Sequence, residues 1–363
     1  RRIVNSPWQK SAMPTGLDSP LYNRRGSTTS GCLLCPLFSV LERIFMRLVF
    51  AGTPEAAVPS LKALIDSPQH DVVAVVTQPD APAGRGRKVH PSPVAQCAAE
   101  HSIPVLKPVS ASDPAFIDEL REYQPECCPV VAYGQLLRPE VLSIPAHGWV
   151  NLHFSLLPQW RGAAPVQSAI WAGDEITGAT TFRLDEGMDT GPVYGTITEP
   201  IQATDTSETL MQRLAEVGAH LLVETVDGIA SGIVEPLPQS TDGVSYTSKI
   251  STADAHIRWD LPDHLVSRHI RAMSPAPGAW TMLGDSRLKI GGVEALHPAA
   301  MQYLSTRDTK LQPGEVLFTG KHVLVGTASE TLQLATIQAP GKKMMRAADW
   351  ARGAHLQGGE TLQ

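Results

Sequence analysis

Two polar side chains stand two residues apart inside an apolar run: Asn151 and His153 in Val150-Asn-Leu-His-Phe154, followed by Ser155-Leu-Leu-Pro158 and Trp160-Arg-Gly162. The run reads as a strand, and strand side chains alternate between faces, so Asn151 and His153 share one face and Val150, Leu152 and Phe154 the other. An asparagine amide donates hydrogen bonds, and an imidazole donates, accepts or carries a proton near neutral pH. Together they can hold a developing oxyanion and manage a proton, as acyl transfer requires. The competing reading is a satisfied core pair with no chemistry. The stretch alone leaves both open.

Further on stands Leu184-Asp-Glu-Gly-Met-Asp-Thr-Gly191, whose glycines make it a loop and whose acids are Asp185, Glu186 and Asp189. An Asp on such a loop beside a His can orient the ring, raise its pKa and take part in proton transfer. The alternative is a turn Asp capping its own backbone. No Ser or Cys nucleophile stands out, since Ser155 lacks the G-x-S-x-G elbow. The expected chemistry is therefore direct attack by a nucleophile that a substrate itself supplies. A third feature is 77–88, Thr-Gln-Pro-Asp-Ala-Pro-Ala-Gly-Arg-Gly-Arg-Lys, which sets Arg85, Arg87 and Lys88 among glycines. A flexible basic loop at the end of a strand suits a phosphate backbone better than it suits a purely solvated surface.

The elements that must position these residues alternate. Strands are expected at 48–50, 72–77, near 105, and at 127–132, 150–154, 178–184 and 193–199. Helices fall between them, one running to Leu64, another from an N-cap at Ser92 with Pro93 at its first position to Glu100, and others at 114–123, 164–172 and 206–229. Strands separated by helices imply βαβ units and a mostly parallel sheet. Ligands then bind at the carboxyl ends of the strands, where Asn151 and His153 lie. Ala51-Gly52-Thr53-Pro54 lacks the second glycine of a dinucleotide fingerprint, and a turn-forming glycine with a threonine cap accounts for it without a ligand. After a Pro-, Ser- and Gly-rich linker at 235–250 come one helix, 262–273, and short strands around 280–282, 288–290, 314–318, 323–325 and 332–335, the pattern of a small β-barrel.

Composition narrows the class. The 363 residues are 42% hydrophobic and 18% charged, enough for a core and long enough for two domains. Residues 1–45 carry six cations against Asp18 and Glu42, a net of +4, so with −6 overall the remainder is near −10. An acidic body argues against wide, sequence-independent nucleic-acid binding, and any such contact needs a local basic patch. Five scattered cysteines are no disulfide framework and point to a reducing compartment. Cys32 and Cys35 form a lone CxxC for which no zinc site is expected, and Cys127 and Cys128 read as core residues. No apolar run approaches a bilayer span of about 20 residues. Residues 1–45 read as an upstream or non-native extension before a start at Met46, with an organelle transit peptide as the alternative.

Taken together, FAGTPE, TQPDAPAGRGRK, PSPV, VVAYGQLL, NLHFSLLPQWRGAAPVQ, GMDTG and the late APGKK resemble the methionyl-tRNA formyltransferase family from Met46 to about Gly353. N-x-H-x-S-L-L-P with a downstream D-x-G is shared by the wider 10-formyltetrahydrofolate formyltransferases, while the basic loop and the C-terminal part mark the tRNA branch. The resemblance implies a Rossmann-like α/β catalytic domain at 46–234, a linker at 235–250, a C-terminal OB-like β-barrel domain at 251–353 that binds tRNA, and a tail from 354. It implies transfer of a formyl group from N10-formyltetrahydrofolate to the amino group of methionyl initiator tRNA, in the cytoplasm, with no metal and no evident protein partner. Asn151 and His153 would stabilise the oxyanion, His153 as the cation or by proton donation. Asp189 would tune His153 and pass the proton toward N10. Ser155, Leu156, Leu157 and Pro158 would line the folate pocket. Arg85, Arg87 and Lys88 would meet the acceptor stem, with Lys249, Lys342 and Lys343 as further phosphate contacts.

Two positions depart from the family. Pro129 interrupts a strand that is usually all apolar, so a bulge or a sheet edge is expected there. Position 154, small in many members, is Phe here. Three rival readings are another folate-dependent N-formyltransferase acting on a nucleotide sugar or glycinamide ribotide, a tRNA-binding protein without catalysis, and an NAD-dependent enzyme. The basic loop and barrel argue against the first, the intact Asn151, His153 and Asp189 against the second, and the incomplete glycine fingerprint against the third.

Overall fold

The computed structural model describes residues 45–83, 88–356 and 359–363. The reading of 1–45 as an extension and the Cys32/Cys35 pair therefore lie outside the described residues, Phe45 apart. From Met46 the chain runs β1 (Met46–Gly52), a 3-10 turn and α1 (Val58–Ile65), β2 (His70–Val76), a small hairpin of β3 (Ala81–Ala83) and β4 (Lys88–His90), α2 (Pro93–Glu100), β5 (Val105–Leu106), α3 (Pro114–Glu122), β6 (Cys128–Val131) and α4 (Pro139–Leu142). Then come β7 (Trp149–His153), β8 (Arg161–Gly162), α5 (Pro165–Ala172), β9 (Ile176–Arg183), β10 (Val193–Pro200) and α6 (Ser207–Ala230).

The main sheet has seven strands in the order β10-β9-β7-β6-β1-β2-β5. Strands β7, β6, β1, β2 and β5 are parallel, and β9 and β10 add antiparallel at one side. Alternation sorts the side chains into two apolar layers. Leu48, Phe50, Val75, Val131, Val150, Leu152 and Phe154 pack on one side with α1 and α6 residues such as Leu61, Leu214 and Leu222. Val49, Ala51, Val76, Val130 and Trp149 pack on the other with Phe116 and Leu120 of α3. Phe154 thus fills the α6 side, away from the face of Asn151 and His153, as the alternation requires. Gly218 lets α6 approach that layer: a Cβ there would stand 2.9 Å from a Leu152 methyl. Gly218→Val is expected to lower stability by about 1–3 kcal/mol through overpacking, measured as a lower urea midpoint at unchanged m-value.

Helix starts follow local chemistry. Ser92 caps α2 by accepting from the Ala95 N–H, with Pro93 at the first position, as expected. Thr206 and Thr209 form a reciprocal capping box for the 24-residue α6. The Ala51–Pro54 turn differs from its sequence reading. Gly52 is still in the strand, where a Cβ would meet Phe50 at 2.8 Å and Val131 O at 2.9 Å. Thr53 caps no helix; its hydroxyl donates to Tyr133 O at 2.9 Å and ties β1 to the loop after β6.

Pro129 is neither at a bulge nor at an edge. Strand β6 is central, and Pro129 pairs with Val150 of β7 without a register shift. On the β1 side the ladder is broken between the bridge Leu48↔Cys127 and the pair Ala51↔Val130, so the missing proline N–H falls in a gap of unchanged register. Cys127 and Cys128 are fully buried, as expected of core residues, and burial pushes the Cys127 thiol up to about 12.

The C-terminal part comprises β11 (Tyr246–Thr247), α7 (Asp263–Ala272), β12 (Trp280–Leu283), β13 (Ser286–Glu294), α8 (Pro298–Ser305), β14 (Val316–Phe318), β15 (Val323–Val325), β16 (Leu332–Gln338), β17 (Met345–Arg346) and α9 (Ala347–Ala354). Apart from β11, its strands form an antiparallel half-barrel in the order β12-β13-β16-β15-β14, with β17 on β16. Helices α4, α8 and α9 were not expected from the sequence. The tail expected from 354 also needs correction. Leu362 bridges Leu283 and Thr361 bridges Glu315, while Met282 and Gln363 exchange backbone hydrogen bonds of 2.8 and 2.9 Å. These last residues close the gap between β12 and β14. The apolar layer behind β7 continues into this part through Val266, Ile270, Leu288 and Ile290.

Candidate active site

Strand β7 ends at the pair that the sequence singled out. Asn151 and His153 lie on the face of Trp149, and β9 runs alongside with Phe182 opposite Asn151 and Thr180 opposite His153. The Phe182 ring meets the imidazole edge-on, with centroids 6.5 Å apart. His153 is buried. Its Nε2–H donates to the carbonyl of Trp160 at 2.9 Å, and because a carbonyl can only accept, the Nε2 proton is fixed. Nδ1 is then the free nitrogen, and it faces Oδ2 of Asp189 at 3.7 Å. That Oδ2 accepts the Gly162 N–H at 2.7 Å. Asn151 is half-buried, and among the described residues its side chain has no hydrogen-bond partner, so its amide is available to a substrate.

Burial pushes the His153 pKa below its ordinary value, and this outweighs Asp189 and the Trp160 carbonyl, which both push it up. Asp189, 3.7 Å from Nδ1, offsets part of the cost of burying a charge there but not all of it. The resting imidazole is neutral at pH 7. A ring that rests neutral can still serve the oxyanion as a cation once it has taken up a proton. A neutral ring with its lone pair toward a carboxylate is arranged to take up a proton and to be stabilised once it has it.

The supports of this pair come from far along the chain. Trp160 (φ 57°), Gly162 (φ 116°) and Asp189 (φ 53°) all sit in the left-handed region, a conformation that surrounding structure must hold in place. The Trp160 N–H donates to Ser245 Oγ at 2.8 Å and its indole Nε1 to Asp174 at 2.8 Å. Strand β11 pairs with β8, Tyr246 opposite Arg161 and Thr247 opposite Gly162. A Cβ on Gly162 would lie 2.1 Å from the Thr247 carbonyl, so only glycine allows that approach. Gln239 donates to the carbonyls of Asp189 and Gly191, both at 2.8 Å. The segment read as a linker is thus a wall of the site. Trp160, Gly162, Gln239 and Ser245 were not recognised as site residues. The Trp-Arg-Gly triplet was the available signal for the first two; the others had none.

The remaining expected residues are placed as follows. The Ser155 side chain is closed in, its hydroxyl donating to the Gln159 carbonyl at 2.5 Å, so it holds the turn. Leu156, Leu157 and Pro158 are half-buried in that turn, with the Leu157 N–H on Thr180 Oγ1 and a cis Leu157–Pro158 bond. Among the loop acids, Asp185 accepts from the Gly187 N–H and the Thr190 hydroxyl, which is the local capping role, and Glu186 is exposed. Asp189 alone of the three faces His153. Arg85 and Arg87 lie outside the described residues, and Lys88 is described only as backbone of β4. Lys249 follows β11, and Lys342 and Lys343 lie in the turn between β16 and β17; all three are exposed. Among the described residues, no group of three or more His, Cys, Asp or Glu is placed to hold a metal.

Comparison with known proteins adds the family. The sequence profile of formyl transferases matches residues 46–226, and that of the formyl transferase C-terminal domain matches 249–355. A methionyl-tRNA formyltransferase of Rhodococcus erythropolis is 58% identical over 311 residues, covering 86% of this chain and 98% of that protein. One of Thermobifida fusca is 59% identical over 317 residues, covering 87% and 99%. The chain belongs to the methionyl-tRNA formyltransferase family. Solved structures with this fold include a methionyl-tRNA formyltransferase from Clostridium thermocellum, at TM-score 0.51 and 15% identity over 69% of this chain and 94% of that one. Another is WlaRD, a sugar 3N-formyl transferase, at TM-score 0.58 and 17% identity over 82% and 99%. At such identities the likeness concerns the fold. Among the described residues, no helix is long and apolar enough to cross a membrane.

Proposed function

We propose that the protein transfers the formyl group of N10-formyltetrahydrofolate to the amino group of methionyl initiator tRNA, in the cytoplasm, and that Asn151, His153 and Asp189 carry the reaction. The observation that supports it best is the convergence of a free Asn151 amide, a neutral His153 with Nδ1 open, and Asp189 at 3.7 Å from that nitrogen. The close relatives, alike over both parts of the chain, supply the substrates by analogy.

The amine attacks the formyl carbon, a C–N bond forms, and negative charge moves to the formyl oxygen. The Asn151 amide donates to that oxygen. Nδ1 of His153 removes a proton from the attacking nitrogen. Asp189 stabilises the imidazolium that results, and its cation in turn favours the oxyanion. When the tetrahedral centre collapses, the bond from carbon to N10 breaks and His153 returns the proton to N10. The Nε2–H stays on the Trp160 carbonyl throughout, so one nitrogen does all the work. Leu156, Leu157 and Pro158 are assigned to the wall of the folate pocket, and Arg85, Arg87, Lys88, Lys249, Lys342 and Lys343 to phosphates of the tRNA.

The decisive assay offers the protein charged initiator tRNA and, separately, amino sugars linked to nucleotides, with the same formyl donor. Formylation of the tRNA alone is expected. Formylation of the sugar amine alone would overturn the substrate assignment. Arg85→Ala is expected to raise KM for tRNA several-fold while KM for the folate stays constant, and to flatten the log–log salt dependence of tRNA binding by about 1. Equal losses for both substrates would remove Arg85 from the tRNA contact.

A further inference from the structure

Beside the Asp189 loop lies a cavity of about 520 Å³ whose lining includes Arg161, Thr190, Gln239, Ser240, Thr241 and Tyr246. It adjoins the reacting groups through the chain itself. Arg161 precedes Gly162, whose N–H holds Asp189, and Thr190 follows Asp189. Arg161 is 8% exposed. Its Nε and Nη2 donate to Gln239 Oε1 at 3.1 and 2.7 Å, and its Nη1 to the Tyr246 hydroxyl at 3.4 Å. All of these partners are neutral, and no ion pair joins Arg161 to a carboxylate among the described residues. A guanidinium has five N–H groups, so two remain unused. A buried cation without a counter-charge is costly, and a bound anion relieves that cost. Tyr246 is 60% exposed, and its ring centroid lies 6.0 Å from the guanidinium carbon. An open aromatic face next to an unpaired arginine matches a nucleobase next to its phosphate.

We propose that this cavity receives the terminal nucleotide of the acceptor strand, with its 5′-phosphate on the Arg161 guanidinium and its base against Tyr246. The inference rests on the reading above that the acceptor is an aminoacylated tRNA. The amino acid is esterified to the ribose of that nucleotide, so the nucleotide must sit within one ester linkage of the amine that reacts beside Asp189. A carboxylate of the folate tail is the other anion at hand. It would leave the exposed tyrosine face without a purpose.

The test uses two minimal acceptors, methionine esterified to adenosine and methionine esterified to adenosine 5′-phosphate. The full-length enzyme is expected to show a kcat/KM about tenfold higher for the phosphorylated acceptor, a difference typical of one charge-assisted contact. Arg161→Gln is expected to bring that ratio close to one, and Arg161→Lys to restore part of it. Tyr246→Ala is expected to weaken both acceptors, and Tyr246→Phe to leave them nearer the wild type. A ratio of one in the unmodified enzyme, or a ratio that survives Arg161→Gln, would overturn the proposal. So would an Arg161→Gln effect seen only as a higher KM for a polyglutamylated over a monoglutamylated formyl donor. Formylation of intact charged tRNA by the unmodified enzyme is read in parallel, so failure of the activity itself is distinguishable from failure of the phosphate site.

Discussion

His153→Ala is expected to lower kcat for formylation about 10²–10⁴-fold, the range for loss of a positioned general acid–base group. KM for either substrate should move little, because the ring's Nδ1 serves the transition state rather than ground-state binding. Single-turnover rates at saturating substrates measure the effect, and an unchanged rate would remove His153 from the mechanism. His153→Gln serves as a stability control, since deleting the ring leaves the buried Trp160 carbonyl without its donor, a loss of about 1–3 kcal/mol. The pH profile carries the sign. Burial holds the folded pKa below the ordinary value of 6.5. The neutral, active form therefore prevails above that point, and kcat should rise with pH through a limb below 6.5 and then level off. Stability follows the same linkage. As pH falls below about 6.5 the unfolded chain takes up the proton first, so this group's contribution to stability is lost toward the folded pKa. His153→Gln should remove that component of the acid sensitivity.

Asp189→Asn is expected to lower kcat about 10²–10³-fold with the fold intact. An asparagine can still accept the Gly162 N–H through its amide oxygen, and it tolerates the left-handed backbone of position 189 (φ 53°) better than most residues. What disappears is the negative charge 3.7 Å from Nδ1. That charge raises the His153 pKa, so without it the acid limb of the pH profile should move to still lower pH. A limb that moved upward, or an undiminished kcat, would contradict the assignment. Asp189→Ala offers the contrast, since it also strips the Gly162 N–H of its acceptor and should cost stability as well as rate.

The sequence alone was enough for the α/β sheet, its longer helices and the shared face of Asn151 and His153, because these depend on local periods: alternation along β7, a Ser-Pro start for α2, apolar spacing along α6. It also sufficed to list Asp189 among three loop acids, and the family resemblance singled it out. Only the tertiary structure decided what those residues experience. The Gly162 N–H that holds Asp189 is 27 residues away, and the Ser245 hydroxyl that holds Trp160 is 85 residues away. No periodicity reports contacts at that separation. Likewise the downward push on the His153 pKa comes from its burial in the folded protein, against the opposing pull of Asp189 and the Trp160 carbonyl, and not from its neighbours in the chain. Pro129 misled for the same reason: its missing N–H could be placed only once β1 and β6 were seen to skip a rung together. The closing strand at Thr361 and Leu362 is too short and too polar to announce itself, and it exists because the two edges of the half-barrel, Glu315 and Leu283, lie where it can bridge them. Local patterns determine which residues share a face, whereas burial, protonation and the far walls of a site are set by whichever distant segments fold against them.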